Sequence, residues 1–189
     1  MSAVSERRER ERAHRHQLIV TAARELAETE GWGSVTTRRL ADRVEYSQPV
    51  LYSHFHDKDA IVAAVALDGF DELATCLHAA RQSAGGPGPV ALHAVGQAYL
   101  AFATGRPALY QAMFILPTRL KFASEETLPP LQACFDAFVE CFDPGNERRE
   151  LFAEVIWSAL HGIAVLADSG RIPAAHQDER LDFLVSRFS

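Results

Sequence analysis

The sequence predicts an all-α protein of about nine helices, on three observations. Apolar residues recur at three- and four-residue spacing along nearly the whole chain. No stretch alternates apolar and polar residues as a half-buried strand does. Gly, Pro, Asp and Thr stand where helices are expected to start and stop.

The elements follow in order. Ser5–His16 carries Arg7, Arg8, Arg10, Arg12 and Arg15 among three Glu. Residues 1–16 read as a charged N-terminal arm: a solvated tail or frayed helix start, or an arm able to follow a phosphate backbone. Leu18, Ala22 and Leu26, with Ile19, Ala23 and Ala27 beside them, mark a helix that Gly31 stops. Thr36 or Thr37 caps a short helix from Arg38 to Val44 whose Leu40, Ala41 and Val44 face inward. Glu45-Tyr46 turn the chain. Ser47 then caps another short helix, with Pro49 in its first turn, where a missing N–H costs nothing. Leu51, Tyr52 and Phe55 are its apolar side, and Tyr52 and Phe55 read most simply as core, although Tyr52 can still present its hydroxyl at the rim. Asp57 caps a long helix to about Gln82.

Gly85-Gly86-Pro87-Gly88-Pro89 breaks the chain. Leu92, Val95, Tyr99 and Phe102 define the next helix, closed at Gly105. Pro107 opens a shorter one that Pro117 ends, and residues 118–127 read as loop. Leu128, Leu131, Phe135, Phe138 and Phe142 keep helical spacing up to Asp143-Pro144-Gly145. Phe152, Ile156, Ala159 and Ile163 form a helix to about Asp168; Leu181, Leu184, Val185 and Phe188 form the last. Three parts result: the arm, a three-helix head over 17–56, and a helical body over 57–189.

Composition bounds the function. The chain has 189 residues, 48% of them apolar and 23% charged, so it can build a core without disulfide or metal staples. No run approaches 18 uninterrupted apolar residues and no secretory leader opens the chain. With three cysteines lacking metal spacing, a soluble cytoplasmic protein is expected. Cys134 and Cys141 are seven residues apart on one helix, about 10.5 Å, too far for a disulfide. The net charge is −6 but unevenly placed: residues 1–58 hold ten Lys/Arg against nine Asp/Glu, and the remainder nine against sixteen. A neutral-to-basic head on an acidic body admits an anionic partner at one end.

Three short helices with a tight turn between the second and third have helix-turn-helix dimensions. A helix that enters a major groove needs small or hydrogen-bonding side chains at its N-terminus, and Ser47, Gln48, Pro49 and Val50 meet that need. Gln pairs with adenine N6/N7, and Val or Pro touches a thymine methyl. The flanks must hold phosphates, and Thr36, Thr37, Tyr52, His54 and Lys58 are placed to do so. The runs Val35–Ala41 and Ser47–Phe55, with Lys58, resemble the DNA-binding domain of TetR-family transcriptional repressors from about Gln17 to Ala66. That resemblance implies that Arg38 reads a base, with Gln48, Pro49 and Val50, while Thr37, Tyr52, His54 and Lys58 hold phosphates. Glu45 and Tyr46 depart from it, standing where the family usually has Gly and a small apolar residue.

A second resemblance covers the body. Ala98–Phe102, Pro107–Tyr110 with Met113-Phe114, and Trp157-Ser-Ala-Leu-His161-Gly162 are similar to the family's ligand domains that carry a Trp…His-Gly signature. It implies a homodimer through the last two long helices, roughly Asn146–Asp168 and Ala174–Phe188. Phe152, Ile156, Ala159, Ile163, Leu181, Leu184, Val185 and Phe188 are its candidate contacts. An apolar effector pocket draws on Phe102, Tyr110, Met113, Phe114, Phe135, Phe138, Trp157 and His161, although such stripes are also simply core. Neither Arg119 nor Lys121 has a ligand assigned. His54-Phe-His56-Asp57 spans a helix end and the next cap, so no metal is expected there, and no cofactor.

Together these features predict a dimeric repressor that binds a near-palindromic operator in double-stranded DNA and is released by an apolar small molecule. No Gly-rich phosphate loop, zinc-protease pair or nucleophile elbow marks an enzyme. The alternative is a ligand-binding helical protein with an enzymatic or adaptor role.

Overall fold

Residues 3–118, 120–122 and 124–188 are described by the computed structural model. Among them every regular element is helical. The order is α1 (Ala3–Glu30), α2 (Thr37–Arg43), α3 (Gln48–His54), α4 (Lys58–Ser83), α5 (Pro89–Gly105), α6 (Pro107–Phe114), α7 (Pro129–Val139), α8 (Arg149–Asp168) and α9 (Gln177–Val185). Single 3-10 turns lie at Trp32–Ser34 and Ala174–His176. Arg119 lies outside the described residues, as does Ala123 of the 118–127 segment.

The helix ends follow local chemistry. Gly31, at φ 79°, stops α1 in a backbone region that L side chains avoid. Thr36 caps α2, its hydroxyl accepting from the Arg39 amide at 3.3 Å. The Asp57 carboxylate accepts from the Ala60 amide at 2.7 Å at the head of α4. Prolines occupy the first turns of α3, α5 and α7. α1 extends further than its apolar pattern, since the arm is helical from Ala3. Arg7–Glu11 and Glu11–Arg15 pairs, each at 3.5 Å and one helical turn apart, support it.

The chain divides into two units. The first comprises Met1–Asp68 and Ala108–Arg119. Its core is Ile19, Ala23 and Leu26 of α1, Leu40 of α2, Leu51 and Phe55 at α3, and Ile61 and Val65 of α4, all buried. The segment from Ala108 belongs here for a specific reason. The Trp32 indole N–H donates to the Ala108 carbonyl at 2.8 Å. The Glu28 carboxylate accepts from the Ala108 and Leu109 amides at 3.2 and 3.0 Å, satisfying two N–H groups that α6 cannot pair itself.

The second unit comprises Gly69–Pro107 and Leu120–Ser189. Its core is built from Phe70, Leu73 and Leu77, Leu92, Val95 and Tyr99, Leu131 and Phe138, Ile156 and Leu160, and Leu181 and Val185. Gly96 lets α5 meet its neighbours: a Cβ there would lie 2.6 Å from a Leu181 methyl and 3.6 Å from one of Leu160. Cys134 and Cys141 are buried, their thiols donating to the Phe70 and Ala137 carbonyls at 3.2 Å. Burial pushes both thiols up to about 12, so neither offers a thiolate at neutral pH.

Candidate nucleic-acid interface

The first unit gathers the DNA-facing candidates on α2, α3 and the turn between them. The turn is closed by the Tyr46 amide, which donates to the Ala41 carbonyl at 3.0 Å. That is the outer bond of a Schellman cap, and it needs a left-handed residue just before Tyr46. Glu45 takes that role at φ 57°, among the described residues the one non-glycine with positive φ. A side chain in this region costs about 1–2 kcal/mol, part of which glycine's extra freedom in the unfolded chain would offset. Glu45→Gly is therefore expected to stabilise the protein by about 1 kcal/mol. Urea unfolding reads it directly, and a loss of stability would show that Glu45 is held by contacts worth more than its strain.

α3 starts at Gln48 with Ser47 as N-cap, and the Ser47 hydroxyl makes no capping bond. Ser47, Gln48 and Pro49 are exposed and Val50 is half-buried, so the first turn of α3 is open to a partner. Beneath it Leu51 and Phe55 anchor the helix in the core. Of the two readings of Tyr52, core residue or rim hydroxyl, the structure has the rim: it is 52% exposed, its hydroxyl 3.5 Å from that of Thr37. The i, i+4 apolar spacing of Leu51 and Phe55 already fills the inward face, which leaves Tyr52 on the rim beside α2. Thr36 and Thr37 thus lie at the start of α2 with the Tyr52 hydroxyl close by.

The three arginines of α2 are not equivalent. Arg39 forms a two-pronged pair with Glu30, at 2.8 and 2.7 Å, and Arg43 reaches Glu25 at 2.8 Å. That pairing holds the Glu30 carboxyl below its usual range and the Arg39 guanidinium above its own. Arg38 is exposed and has no ion pair among the described residues.

His54 closes α3 half-buried, its ring centroid 6.3 Å from that of His16 on α1, while His16 sits 4.4 Å from Phe55. Burial, then Arg12, His16 and Arg15, hold the His54 imidazole below its usual pKa. Two arm residues that the sequence left open, Arg12 and Arg15, therefore add positive potential at the end of α3. Lys58 opens α4 with its ammonium on the Trp32 carbonyl at 2.5 Å, leaving further N–H groups to donate. Among the described residues no three His, Cys, Asp or Glu come together as a metal site. His56 instead lies 2.9 Å from Asp57.

The pocket candidates separate. Tyr110, Met113 and Phe114 belong to the first unit, where the Tyr110 and Phe114 rings lie 4.8 Å apart. Phe102 and Phe138 are core residues of the second unit. Trp157 donates its indole N–H to the Tyr99 hydroxyl at 3.2 Å, and burial keeps His161 below its usual pKa. Phe135 and Trp157 line one cleft in the second unit.

The dimer candidates divide likewise. Ile156, Leu181 and Val185 are buried within the second unit itself. Phe152 and Phe188 join Phe142 in a ring cluster with centroids 5.6–6.1 Å apart. Ala159, Ile163 and Leu184 are half-buried. Leu151, Val155 and Leu166 of α8 and Phe183 of α9 are exposed apolar side chains, and the Arg187 guanidinium lies 4.3 Å over the Phe183 ring. The near-helical spacing of Leu151, Val155 and Leu166 along α8 is visible in the sequence. α8 is also long and apolar enough to cross a membrane by length and composition, with a mean hydropathy of 1.5.

Comparison with known proteins adds two family models. One, described as "Bacterial regulatory proteins, tetR family", matches residues 19–65; the other, "Tetracyclin repressor-like, C-terminal domain", matches residues 92–188, just over half of the chain. An uncharacterised HTH-type transcriptional regulator of Bacillus subtilis, YobS, is 30% identical over 103 residues, covering 52% of this chain and 51% of its own. The class G tetracycline repressor protein of Vibrio anguillarum is 43% identical over 47 residues, 25% of this chain and 22% of its own. The chain is thus matched to about half the length of the first relative and about a fifth of the second. A protein of unknown function from Rhodococcus sp. RHA1 superposes with a TM-score of 0.73 at 25% identity, over 92% of each chain. A TetR transcriptional regulator from the same organism shares the fold, with a TM-score of 0.67 at 21% identity over 93% of this chain and 96% of its own.

Proposed function

The chain belongs to the TetR family of bacterial regulatory proteins, and on that premise we propose that it is a homodimeric, sequence-specific DNA-binding repressor of the cytoplasm. The observation that carries this reading is the contrast within α2. Arg39 and Arg43 are spent on Glu30 and Glu25, while the exposed Arg38 has no ion pair among the described residues. An unpaired guanidinium and an exposed Gln48 are the two side chains best suited to bidentate contact with guanine and adenine edges. Pro49 and Val50 add apolar contact for a thymine methyl, and Ser47 a small hydroxyl. Thr36, Thr37, Tyr52, His54 and Lys58 hold the phosphates on either side, and Arg12 extends that hold along α1.

Two copies would place their α3 helices in successive major grooves about 34–36 Å apart, on a near-palindromic operator. The exposed apolar face of α8 and α9 joins the copies. A small molecule bound in the second unit releases the DNA only to the extent that it binds the DNA-free state more tightly.

The deciding experiment is selection of bound sequences from a random duplex library by the purified protein at moderate salt. An inverted repeat is expected. A folded dimer that enriches nothing, with affinity insensitive to salt, would favour a ligand-binding adaptor or enzyme instead.

Lys58→Ala is expected to weaken operator and random duplex alike and to flatten the slope of log affinity against log salt by about one. Affinity measured at four or more salt concentrations checks it. An unchanged slope would mean that the ammonium stays on the Trp32 carbonyl when DNA is bound.

A further inference from the structure

The cleft of the second unit has a chemistry of its own. It encloses about 370 Å³ between α7 and the first half of α8, a size ordinary for small-molecule sites. Aromatic surface comes from Phe122, Phe135 and Trp157. The Phe135 and Trp157 rings meet edge to face with centroids 6.5 Å apart. The Trp157 N–H is already given to Tyr99, so the indole offers the cleft ring surface and no donor.

The charges around these rings are lopsided. Asp136, Glu150 and Glu154 stand against the single guanidinium of Arg149. Asp136 accepts from the Gln132 amide at 2.8 Å. Glu150 and Glu154 are one helical turn apart on α8 and form no ion pair among the described residues, either with Arg149 or with another cation. Like charges at this spacing repel. A bound cation would relieve that repulsion, and an anion would add to it. Cations also bind the faces of aromatic rings.

We propose that this cleft binds a monovalent aromatic cation, its rings against Phe135 and Trp157 and its positive charge beside Glu150 and Glu154. The identification as an effector site rests on the reading of this unit as the effector domain; the charge preference does not. α8 also supplies a route for the effect. Leu151 and Val155 of the proposed subunit seam directly follow Glu150 and Glu154, so a ligand that shifts this part of α8 shifts the seam.

The test uses three tricyclic probes of similar shape: N-methylacridinium (positive), N-methylacridone (neutral) and anthracene-9-carboxylate (negative). Each is titrated into the full chain by calorimetry in the absence of DNA. N-methylacridinium is expected to bind about tenfold or more tighter than the other two. Glu154→Gln and Glu150→Gln should each weaken it several-fold, leave N-methylacridone unchanged, and melt like the parent protein. Equal affinity for all three probes, preference for the anion, no binding of any probe, or indifference to both substitutions would overturn the proposal. A second titration, into the complex with selected operator, separates the two readings. If the cation binds in a Glu154-dependent way yet leaves DNA affinity unchanged, the cleft stands as a cation site and its effector role falls.

Discussion

A Val155→Asp chain is expected to sediment as a folded monomer and to bind a two-half-site operator about a hundredfold or more weakly than the parent protein, because it loses the gain from joining two reading heads. The outer side of α8 presents Leu151 at 53%, Val155 at 49% and Leu166 at 40% exposure. Between Val155 and Leu166 lies Gly162, where an added Cβ would meet nothing within 4 Å. Large apolar groups around an open glycine are what a second helix needs for close approach. The proposed seam between identical copies would pair the same patch with itself, so the substitution would bring two carboxylates into one apolar contact. Half of the Val155 surface is already exposed in the single chain, and its replacement therefore leaves the unit's own core intact. Sedimentation velocity and binding to operator and half-site probes check the expectation. On a single half-site the variant and the parent should be alike. A variant that stays dimeric with full operator affinity would move the seam elsewhere.

That face shows what the sequence conveys and what it withholds. α8 is apolar on two sides, with Phe152, Ile156 and Leu160 on one register and Leu151, Val155 and Leu166 on the other. Both registers satisfy helical spacing, and only contact with α5, α7 and α9 settles which is turned inward. The helices themselves were legible because their ends carry chemistry: Thr36, Asp57 and the prolines at 49, 89, 107 and 129 each act within one turn. The arm was less legible, since alternating Arg and Glu has no apolar period and its helix rests on charge pairs and continuity with α1. The cleft was not legible as a unit. Its carboxylates come from two helices separated by a break at Asp143-Pro144-Gly145, and no local spacing links Asp136 to Glu154. The strain at Glu45 was half legible, as a departure from the family's usual glycine, but its left-handed backbone belongs to the folded turn.

The same limit applies to Arg38, Arg39 and Arg43, three arginines on one short helix with no local signal to rank them. Their partners, Glu30 and Glu25, lie 9 and 18 residues away in sequence, and those pairings single out Arg38. Replacing Arg38 by Ala is expected to cost about 1–3 kcal/mol at each half-site of a selected operator and to relax discrimination at one base pair there. A palindrome engages both copies, so the loss counts twice on the full operator and once on a half-site. Arg39→Ala is the matched control. It removes a guanidinium of the same charge from the same helix, but one committed to an exposed pair worth little to stability. It should lower affinity only slightly and leave base preference intact. Affinities for operators carrying each single base-pair change, measured with both variants at one salt concentration, distinguish the roles. Arg38→Ala should flatten the profile at one position and fall much less on random duplex than on operator. Equal losses on the two DNAs would make Arg38 a phosphate contact, and would leave Gln48 as the main hydrogen-bonding reader of the sequence.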